Sequence, residues 1–232
     1  MKKKTTIILS TFNEQIAIEK TINEIRKHIE NVEIVVVDDN SSDDTFNILK
    51  KLENENTKIF LRKKSKGLAS AFLLGLINST GDNIGWVDSN MSSVVKLFPQ
   101  MISDLKDNDI VILSRFVDNG KDERNFVRKW SSYLLNKTTK LILRSKINDL
   151  SSGIFVMKRE VLLDSLPIAS GHGEFMIEFL YNAEIKGNKI KEIAYTQPVD
   201  EEGNSKSYPN IFRFLLLGFF YFVRILQVFL RR

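Results

Sequence analysis

Asp88 and Asn90 are the residues whose types and spacing point most directly to chemistry. They stand two positions apart, directly after the apolar run 84–87, and side chains so spaced at the end of a strand can converge on one cation. Carboxylate and carboxamide oxygens suit Mg²⁺ or Mn²⁺, which can also hold a diphosphate and stabilise the charge on a departing phosphate. The spacing alone is a weak signal, and its place after a strand-like run strengthens it.

Three further groups of polar residues follow apolar runs in the same way. They are 10–14 (Ser-Thr-Phe-Asn-Glu), 38–41 (Asp-Asp-Asn-Ser) and 114–115 (Ser-Arg). Asn, Ser and Asp also cap helices, so capping by itself explains any one of these groups. Four such groups, rich in carboxylates, exceed what capping requires. We therefore expect them to gather at one edge of a sheet and to form a site.

Short β-branched runs alternate with segments of helical periodicity, and these elements would position the polar groups. The predicted strands are 5–10, 33–37, 58–61, 83–87, 109–113, 153–157 and 189–195, and the predicted helices are 16–29, 45–52, 68–77, 94–105, 125–144 and 175–186. Continuous apolar strands separated by helices indicate parallel strands covered on both faces. The predicted fold is therefore α/β, a doubly wound and mostly parallel sheet, in which ligands bind at the carboxyl ends of the strands.

Composition narrows the class of protein. The chain has 232 residues, 43% of them hydrophobic, no cysteine, and a formal net charge of +5. The length suits one domain with an appended segment, and the lack of cysteine excludes a disulfide framework, a thiolate metal site and a thiol nucleophile. Only a short apolar run follows the lysines at 2–4, so we expect no signal peptide. The basic residues of 121–129 lack an aromatic platform, so we expect no nucleic acid partner.

Several motifs occur in a fixed order along the chain and together carry a resemblance. They are 10–14, 36–45 (with Asp38-Asp39-Asn40-Ser41), 66–75 (from Lys66-Gly67-Leu68), 80–82, 88–90, 114–116, Arg128, 149–153 (Asp-Leu-Ser-Ser-Gly), Glu192 and 203–206 (Gly-Asn-Ser-Lys). In this set the chain resembles the family 2 glycosyltransferases of the nucleotide-sugar-binding GT-A fold. Within them it is most similar to the dolichyl- and polyprenyl-phosphate sugar transferases. Each motif alone is weak, and the ordered set is specific.

The resemblance implies a role for each matching residue. Thr11, Asn13, Glu14, Asp39 and Lys66 would bind the nucleotide part of a nucleotide-sugar. Asp88 would serve both donor binding and catalysis, and with Asn90 it would hold Mg²⁺ or Mn²⁺ on the diphosphate. Arg115 and Arg128 would act on phosphate in catalysis, and Arg128, Ser205 and Lys206 would bind the acceptor phosphate. A lipid phosphate is already ionised near neutral pH, so positioning and charge stabilisation would carry most of the catalysis.

Two departures from the family pattern qualify this picture. Asn90 stands where the family usually has a second Asp, so we expect weaker metal binding. Asp200 and Glu202 stand where arginines usually precede Gly203, and anionic side chains there would repel a phosphate. These residues favour altered specificity, with reduced activity as the alternative. A different glycan or glycolipid acceptor, or a nucleotide-sugar-binding membrane protein with little turnover, therefore remain alternative functions.

The last residues form an aromatic, apolar segment. Residues 211–230 include 16 apolar residues in 20, interrupted by Arg213, Gly218, Arg224 and Gln227. Arg224 would lie deep in a bilayer, so a helix in the membrane interface is the preferred interpretation. Oligomer packing, a single short span and a core helix follow in that order. We expect a glycosyltransferase domain over 1–207 and a membrane-associating helix over 208–232, placed at the cytoplasmic face of a membrane.

Overall fold

The computed structural model describes residues 3–64, 66–167, 171–199 and 211–231. Within these ranges there are nine strands: β1 (Thr5–Thr11), β2 (Val32–Asp38), β3 (Thr57–Leu61), β4 (Asn83–Trp86), β5 (Ile110–Ser114), β6 (Lys121–Asp122), β7 (Phe155–Lys158), β8 (Ile190–Ala194) and β9 (Thr196–Gln197). Seven of them form one sheet in the order β3-β2-β1-β4-β7-β5-β8, and β6 pairs with β9 in a small separate ribbon. All neighbours in the large sheet are parallel except β7, which runs antiparallel to both β4 and β5.

Helices cover both faces of the large sheet. In the described ranges they are α1 (Ile18–His28), α2 (Thr45–Leu52), α3 (Leu68–Ile77), α4 (Phe98–Asp104), α5 (Phe126–Leu143), α6 (Leu162–Ser165), α7 (Phe175–Ile185) and α8 (Ile211–Leu230), with 3₁₀ segments at Ser92–Leu97 and Arg159–Val161. Asn125 caps α5 by accepting a hydrogen bond from the backbone N–H of Arg128. The predicted helix 94–105 is in fact a 3₁₀ segment followed by α4, with Pro99 near the start of α4, where a missing N–H costs nothing.

Successive residues of β1 point into two different cores, as the pleat of a strand requires. Ile7 and Leu9 pack with α1 and α4 on one face, in a cluster that includes Ile22 and Phe98. Ile8 packs on the other face with α3 and α7. Aromatic rings fill this second core: the ring of Phe72 is stacked on that of Phe175 at a centroid distance of 5.7 Å, and it meets that of Trp86 edge-on at 5.2 Å. Both faces of the sheet are therefore buried, which confirms the predicted doubly wound α/β fold.

The reversed strand β7 has a direct consequence for the rim of the sheet. Trp86 of β4 is paired with Phe155 of β7 in antiparallel register. Because the two strands run in opposite directions, the segment just before β7 lies beside the residues just after β4. The Asp-Leu-Ser-Ser-Gly motif at 149–153 is thereby brought to the carboxyl end of β4. This reversal was not predicted from the sequence, and it assembles part of the site.

Candidate active site

The loops after β1 and β2 are joined by side-chain hydrogen bonds to backbone groups. Asn13, with a left-handed φ of 57°, accepts a hydrogen bond from the N–H of Ser42 at 2.8 Å, and its own N–H donates to Ser41 Oγ at 2.9 Å. The N–H of Glu14 donates to Thr45 Oγ1 at 2.8 Å. The two loops therefore hold each other in place, and the side-chain oxygen of Asn13 is engaged within the protein.

Thr11 and Glu14 lie in the floor of this corner. Both are buried, at 4% and 8% exposure. The hydroxyl oxygen of Thr11 is enclosed and forms no hydrogen bond with the residues that the structure describes. A buried hydroxyl without a partner costs free energy.

Asp39 and the start of α3 form a second tightly bonded group. Asp39 accepts a hydrogen bond from Arg62 Nε at 2.6 Å through one oxygen and from the N–H of Gly67 at 2.9 Å through the other. Lys66, next to Gly67, is exposed and places its ammonium 4.5 Å from the centre of the Phe12 ring. The end of β1, the end of β2 and the loop before α3 thus meet at one corner of the rim.

Asp88 and Asn90 follow β4 at the centre of the rim. Asp88 is exposed and Asn90 is half-buried. Across from Asp88 lies Gly153, where an added Cβ would stand 4.0 Å from Asp88 Oδ2. Glycine therefore leaves the space beside the carboxylate open. One carboxylate and one carboxamide, two positions apart after a strand, fit a hard divalent cation whose other ligands come from water or phosphate.

No group of three or more His, Cys, Asp or Glu side chains that could hold a metal occurs in the described parts of the chain. Asp88 and Asn90 are the candidate protein ligands at the rim, and a bound molecule would supply the others. This fits the pattern in which Mg²⁺ is bound by one or two carboxylates and the phosphates of a substrate.

Arg115 lies behind the rim in a buried network. Its Nε and Nη2 donate to the two oxygens of Asp149 at 2.8 and 2.7 Å, and Nη2 also donates to Ser151 Oγ at 2.9 Å. Burial alone would lower the pKa of Arg115, but the charge and hydrogen bonds of Asp149 raise it above its usual value. Arg115 is therefore a permanent cation whose charge is matched by Asp149.

Asn136 of α5 extends the network to the next helix. Its amide donates to Ser151 Oγ at 2.8 Å, and its carbonyl accepts from the N–H of Ser151 at 3.1 Å. Glu192 closes the other side by accepting from the N–H groups of Asn148 and Asp149 at 2.9 and 3.1 Å. The segment before Gly153 is consequently held on both sides.

Tyr195 and Asp122 belong to the same buried layer and were not singled out from the sequence. Tyr195 donates from its hydroxyl to Gln197 at 2.5 Å. Burial, and the charges of Asp149 and Asp88, raise its pKa in spite of the opposing effect of Arg115 and Arg124. Asp122 forms a two-point pair with Arg124 at 2.9 and 2.6 Å. Asp122 belongs to β6, and Tyr195 stands between β8 and β9. Two-residue strands such as β6 and β9 leave no periodic signal in a sequence.

Arg128 lies in the first turn of α5, half-buried, beside the group of exposed aromatic residues that begins this helix. Ser205 and Lys206, predicted to bind the acceptor phosphate with it, lie outside the described residues, as do Asp200 and Glu202.

Of the predicted site residues, the structure places Thr11, Asp39, Lys66 and Asp88 along one rim, with Arg115 behind it.

Helix α8 packs one face against the domain and leaves the other uncovered. Ile225 and Val228 are buried in the core cluster, and Arg224 donates to Glu178 of α7 at 2.5 Å. Arg231 reaches the other oxygen of Glu178 at 3.0 Å. By length and composition, Phe212–Leu230 is also the one helix in the described residues that could cross a membrane. The structure turns Arg224, the residue that fits a bilayer least, toward the protein.

The outer face of α8 is aromatic. Its exposed side chains include those of Phe212, Phe219 and Phe222, at 72%, 59% and 52% exposure. Helix α5, which contacts α8, adds the exposed Phe126 and Trp130 in its first two turns. We call the exposed apolar residues of these two helices the aromatic face. Exposed apolar surface of this kind is typical of an interaction site with a membrane or a protein.

Comparisons with known proteins agree with the resemblance seen in the motifs. The model of the family "Glycosyl transferase family 2" matches residues 6–166. The chain is 31% identical over 217 residues to the dolichol-phosphate mannosyltransferase of Pyrococcus furiosus, a match that covers 88% of this chain and 59% of that protein. The chain thus spans well under two thirds of that relative's length. It is also 28% identical to the polyprenol monophosphomannose synthase of Mycolicibacterium smegmatis, covering 88% of this chain and 81% of that protein.

The fold has experimentally determined counterparts. The glucosyl-3-phosphoglycerate synthase of Mycobacterium tuberculosis, in complex with Mn²⁺, UDP and phosphoglyceric acid, superimposes with a TM-score of 0.77 at 18% identity. The match covers 98% of this chain and 79% of that one. A second complex of that enzyme holds Mg²⁺ and UDP and has a TM-score of 0.74. The family match, which spans well over half of the chain, and the shared fold lead to one conclusion: the chain belongs to glycosyltransferase family 2.

Proposed function

We propose that this protein transfers a sugar from a nucleotide-sugar to a polyprenyl phosphate, with inversion at the anomeric carbon. The observation that carries the proposal is the rim itself, where Thr11, Asp39, Lys66 and Asp88 line the carboxyl ends of β1, β2 and β4 in a family 2 chain. The relatives named for mannosyl transfer to dolichol, polyprenol and undecaprenyl phosphate support this acceptor and make mannose the first sugar to test.

The donor nucleotide would bind at the corner formed by the loops after β1 and β2 and the loop before α3. Thr11 lies beneath this corner, with an enclosed hydroxyl that has no hydrogen-bond partner among the described residues. Asp39 and Glu14 supply acceptors for the N–H and hydroxyl groups of the base and ribose, while Asn13 holds the corner together. Lys66 adds a cation beside the exposed ring of Phe12. Base, ribose and phosphate would thus each meet a group of suitable chemistry.

The reaction exchanges one bond at the anomeric carbon for another. An oxygen of the acceptor phosphate attacks the anomeric carbon, the bond from that carbon to the diphosphate breaks, and the nucleoside diphosphate leaves with the electron pair. No proton has to be removed from an ionised phosphate, so this chain needs to align the two reactants and to offset the charge of the leaving group. Asp88 stands at the centre of the rim, where the diphosphate would lie.

Asp88 and Asn90 would hold Mg²⁺ or Mn²⁺ in this site. The residues fit the ion because the donors are hard oxygens and Gly153 leaves the space beside Asp88 open. When bound, the ion neutralises charge that develops on the departing diphosphate. With an amide in place of a second carboxylate, the protein alone binds the ion weakly, so we expect nucleotide and metal to bind together.

Arg115 and Arg128 would have different tasks. Asp149 neutralises Arg115, and Asp122 lies 3.9 Å from its Nη1, so Arg115 offers little net positive charge to a phosphate. We assign to it the positioning of 149–153, opposite Asp88. Arg128 at the start of α5 lies nearer the aromatic face, and with Ser205 and Lys206 it would bind the acceptor phosphate.

The aromatic face would bring the enzyme to its lipid acceptor. Because Arg224 and Arg231 point to Glu178, the outer face of α8 presents Phe and Leu to the surroundings. A helix that packs on its domain through one face and is apolar on the other suits burial in the membrane interface. We therefore propose peripheral attachment, at the cytoplasmic face of a membrane, with a homo-oligomer as the competing explanation of the same surface.

The experiment that tests the function supplies both substrates. Purified protein is incubated with UDP-, GDP- and dTDP-linked sugars, with polyprenyl phosphate in vesicles, and with Mn²⁺ or Mg²⁺. We expect label from one donor to appear in the lipid fraction and Asp88→Asn to lower the rate of its transfer by about a hundredfold. A thermal-shift series with nucleotide, with metal and with both gives a second readout: we expect the largest shift with both. Nucleotide binding without lipid product in any combination would instead favour a binding protein with little turnover.

A further inference from the structure

Arg62, at the end of β3, has three hydrogen bonds that converge on the donor corner. Its Nε donates to Asp39 Oδ1 at 2.6 Å, Nη1 donates to Ser70 Oγ at 2.7 Å, and Nη2 donates to the carbonyl of Gly67 at 2.9 Å. Arg62 is buried, with 8% exposure. A planar guanidinium fixes the relative positions of three partners in a way that no other side chain can.

The partners of Arg62 also bond to one another. The N–H of Gly67 donates to the second oxygen of Asp39 at 2.9 Å, and Ser70 Oγ donates to the carbonyl of Gly67 at 3.1 Å. Both polar groups of the Gly67 backbone and both oxygens of Asp39 are therefore tied into one closed network with Arg62. The network joins the ends of β2 and β3 to the first turn of α3.

Gly67 has a backbone conformation that this network must hold. Its φ is +128°, a value that residues with a side chain rarely adopt. Gly67 is adjacent to Lys66, whose ammonium lies over the Phe12 ring. Fixing both polar groups of Gly67 therefore fixes the direction in which the chain presents Lys66 to the donor corner.

We propose that Arg62 is a positioning residue for nucleotide-sugar binding. It holds Asp39 and the Lys66-Gly67 backbone in the geometry that receives the nucleotide, and it acts through these residues without touching the substrate. This inference rests on the proposed function and assigns a role to a residue outside the motifs that carry the family resemblance. Its loss should weaken donor binding and leave the transfer step intact once the donor is bound.

The test combines nucleotide binding with a mutant cycle. Calorimetry with UDP, GDP and dTDP in the presence of Mn²⁺ is performed on the full chain and on Arg62→Gln, Lys66→Ala and the double variant. We expect Arg62→Gln to raise the Kd of the nucleotide that binds by about tenfold to a hundredfold. Because part of the effect of Arg62 runs through the Lys66 loop, the double variant should raise the Kd by less than the product of the two single effects. In turnover, the donor KM of Arg62→Gln should rise while kcat stays within about twofold.

Matched variants separate positioning from folding. Arg26→Gln removes a similar arginine, which donates to the carbonyl of Leu52 and to Thr57 Oγ1 away from the donor corner, and should leave the Kd unchanged. If Arg62→Gln does not fold, Arg62→Lys and Ser70→Ala remove only part of the network and should raise the Kd by smaller factors.

Three results would overturn the inference. The first is an unchanged Kd in the folded Arg62 variants, and the second is multiplicative effects in the double variant. The third is a fall in kcat without a change in KM. If the unaltered chain binds none of the three nucleotides, the proposed function itself fails and the inference falls with it.

Discussion

The donor corner and the aromatic face differ in how they are held. At the donor corner, side chains bond to backbone groups of neighbouring loops: Asn13 to Ser42, Asp39 to Gly67, and Arg62 to Gly67. Arg62 also bonds to the side chain of Asp39. On the aromatic face, α5 and α8 pack on the domain through one side and expose Phe, Trp and Leu on the other. The loops of the donor corner are held by bonds within the chain, and the aromatic face exposes the kind of surface that a partner covers.

This difference indicates which region is prepared for its ligand in advance and which region depends on a partner. A corner fixed by hydrogen bonds has little ordering left to do when a small polar molecule binds, so selectivity can be built in beforehand. An exposed apolar face gains its free energy only when something removes it from water. We therefore expect substitutions at the rim to change donor binding or turnover in solution, and those on the aromatic face to change only behaviour at a membrane.

The largest effect should come from breaking the buried pair behind the rim. Asp149→Asn leaves the charge of Arg115 buried without a matching carboxylate, and we expect a loss of about 3–5 kcal/mol in the free energy of unfolding. Denaturant titration measures it, with the exposed Asp164→Asn as control. Adding Arg115→Met to Asp149→Asn should restore part of the stability but not the activity, because 149–153 would lose its anchor. Full stability of Asp149→Asn would show that the pair does not support this half of the rim.

Removing the carboxylate at the centre of the rim comes next. Asp88→Ala should lower turnover roughly 10²–10³-fold, because it removes the carboxylate that would bind the cation. The charge on the departing diphosphate would then be less well stabilised. Its melting temperature should change little because Asp88 is exposed. Asp107→Ala, an exposed aspartate after α4, is the matched control and should keep full activity. Equal activity of the two variants would place the chemistry elsewhere.

Glu33 tests whether the scaffold can be weakened without touching the donor corner. Burial by itself raises the pKa of Glu33. Hydrogen bonds from Lys58, Thr6 and Thr80 lower the pKa by more than burial raises it, so that it falls from 4.5 to about 2. Because the folded-state pKa is the lower one, the stabilisation is complete above pH 4.5 and is lost as the pH falls toward 2. The shift of the Glu33 pKa between the unfolded and the folded state corresponds to about 3 kcal/mol of stability.

Glu33→Gln should therefore lower the free energy of unfolding at pH 7 by a similar amount and flatten its dependence on pH between 4.5 and 2. Denaturant titrations across that range measure both effects. The donor KM should be unaltered, since Glu33 pairs with Thr80 and Lys58 at the other end of the strands. A raised KM would contradict the separation of scaffold and site.

The smallest effect concerns the aromatic face. Phe219→Ser should weaken binding to anionic vesicles by about 1–2 kcal/mol, from the apolar area that no longer enters the interface. Sedimentation with vesicles measures it, and Ile77→Ser, at an exposed position at the end of α3, provides a control. Nucleotide affinity in solution should not change. If the variant instead alters the oligomeric state and binds vesicles normally, the face is an interface between copies of the chain.

The sequence predicted the fold and the rim because both depend on local patterns. Apolar runs located the strands of the large sheet, and the polar residues after them located Thr11, Asp39 and Asp88. It did not predict that β7 is antiparallel, because strand direction depends on the path of the chain across the sheet. It also left Arg62 unmarked, since an arginine at the end of a strand looks like a solvated residue until its three partners are placed around it.

Arg115 and Arg224 also have partners that sequence motifs do not reveal. Sequence motifs identified Arg115 as a residue near phosphate, whereas its geometry is set by Asp149, 34 positions away. Arg224 looked unfavourable for a membrane helix until Glu178, 46 positions away, was found to accept its hydrogen bond. Residue type and spacing predict which groups stand at the rim, but pairing across the fold decides what each charge is available to do.

The most direct test of the central claim is the anomeric configuration of the sugar on the lipid product. Protein, labelled nucleotide-sugar, metal and polyprenyl phosphate are combined, and the product is examined by NMR through the one-bond coupling at the anomeric carbon. We expect one sugar per released nucleoside diphosphate, attached to the lipid phosphate with the configuration opposite to that in the donor. Retained configuration, or release of nucleoside diphosphate with no sugar on the lipid, would contradict it.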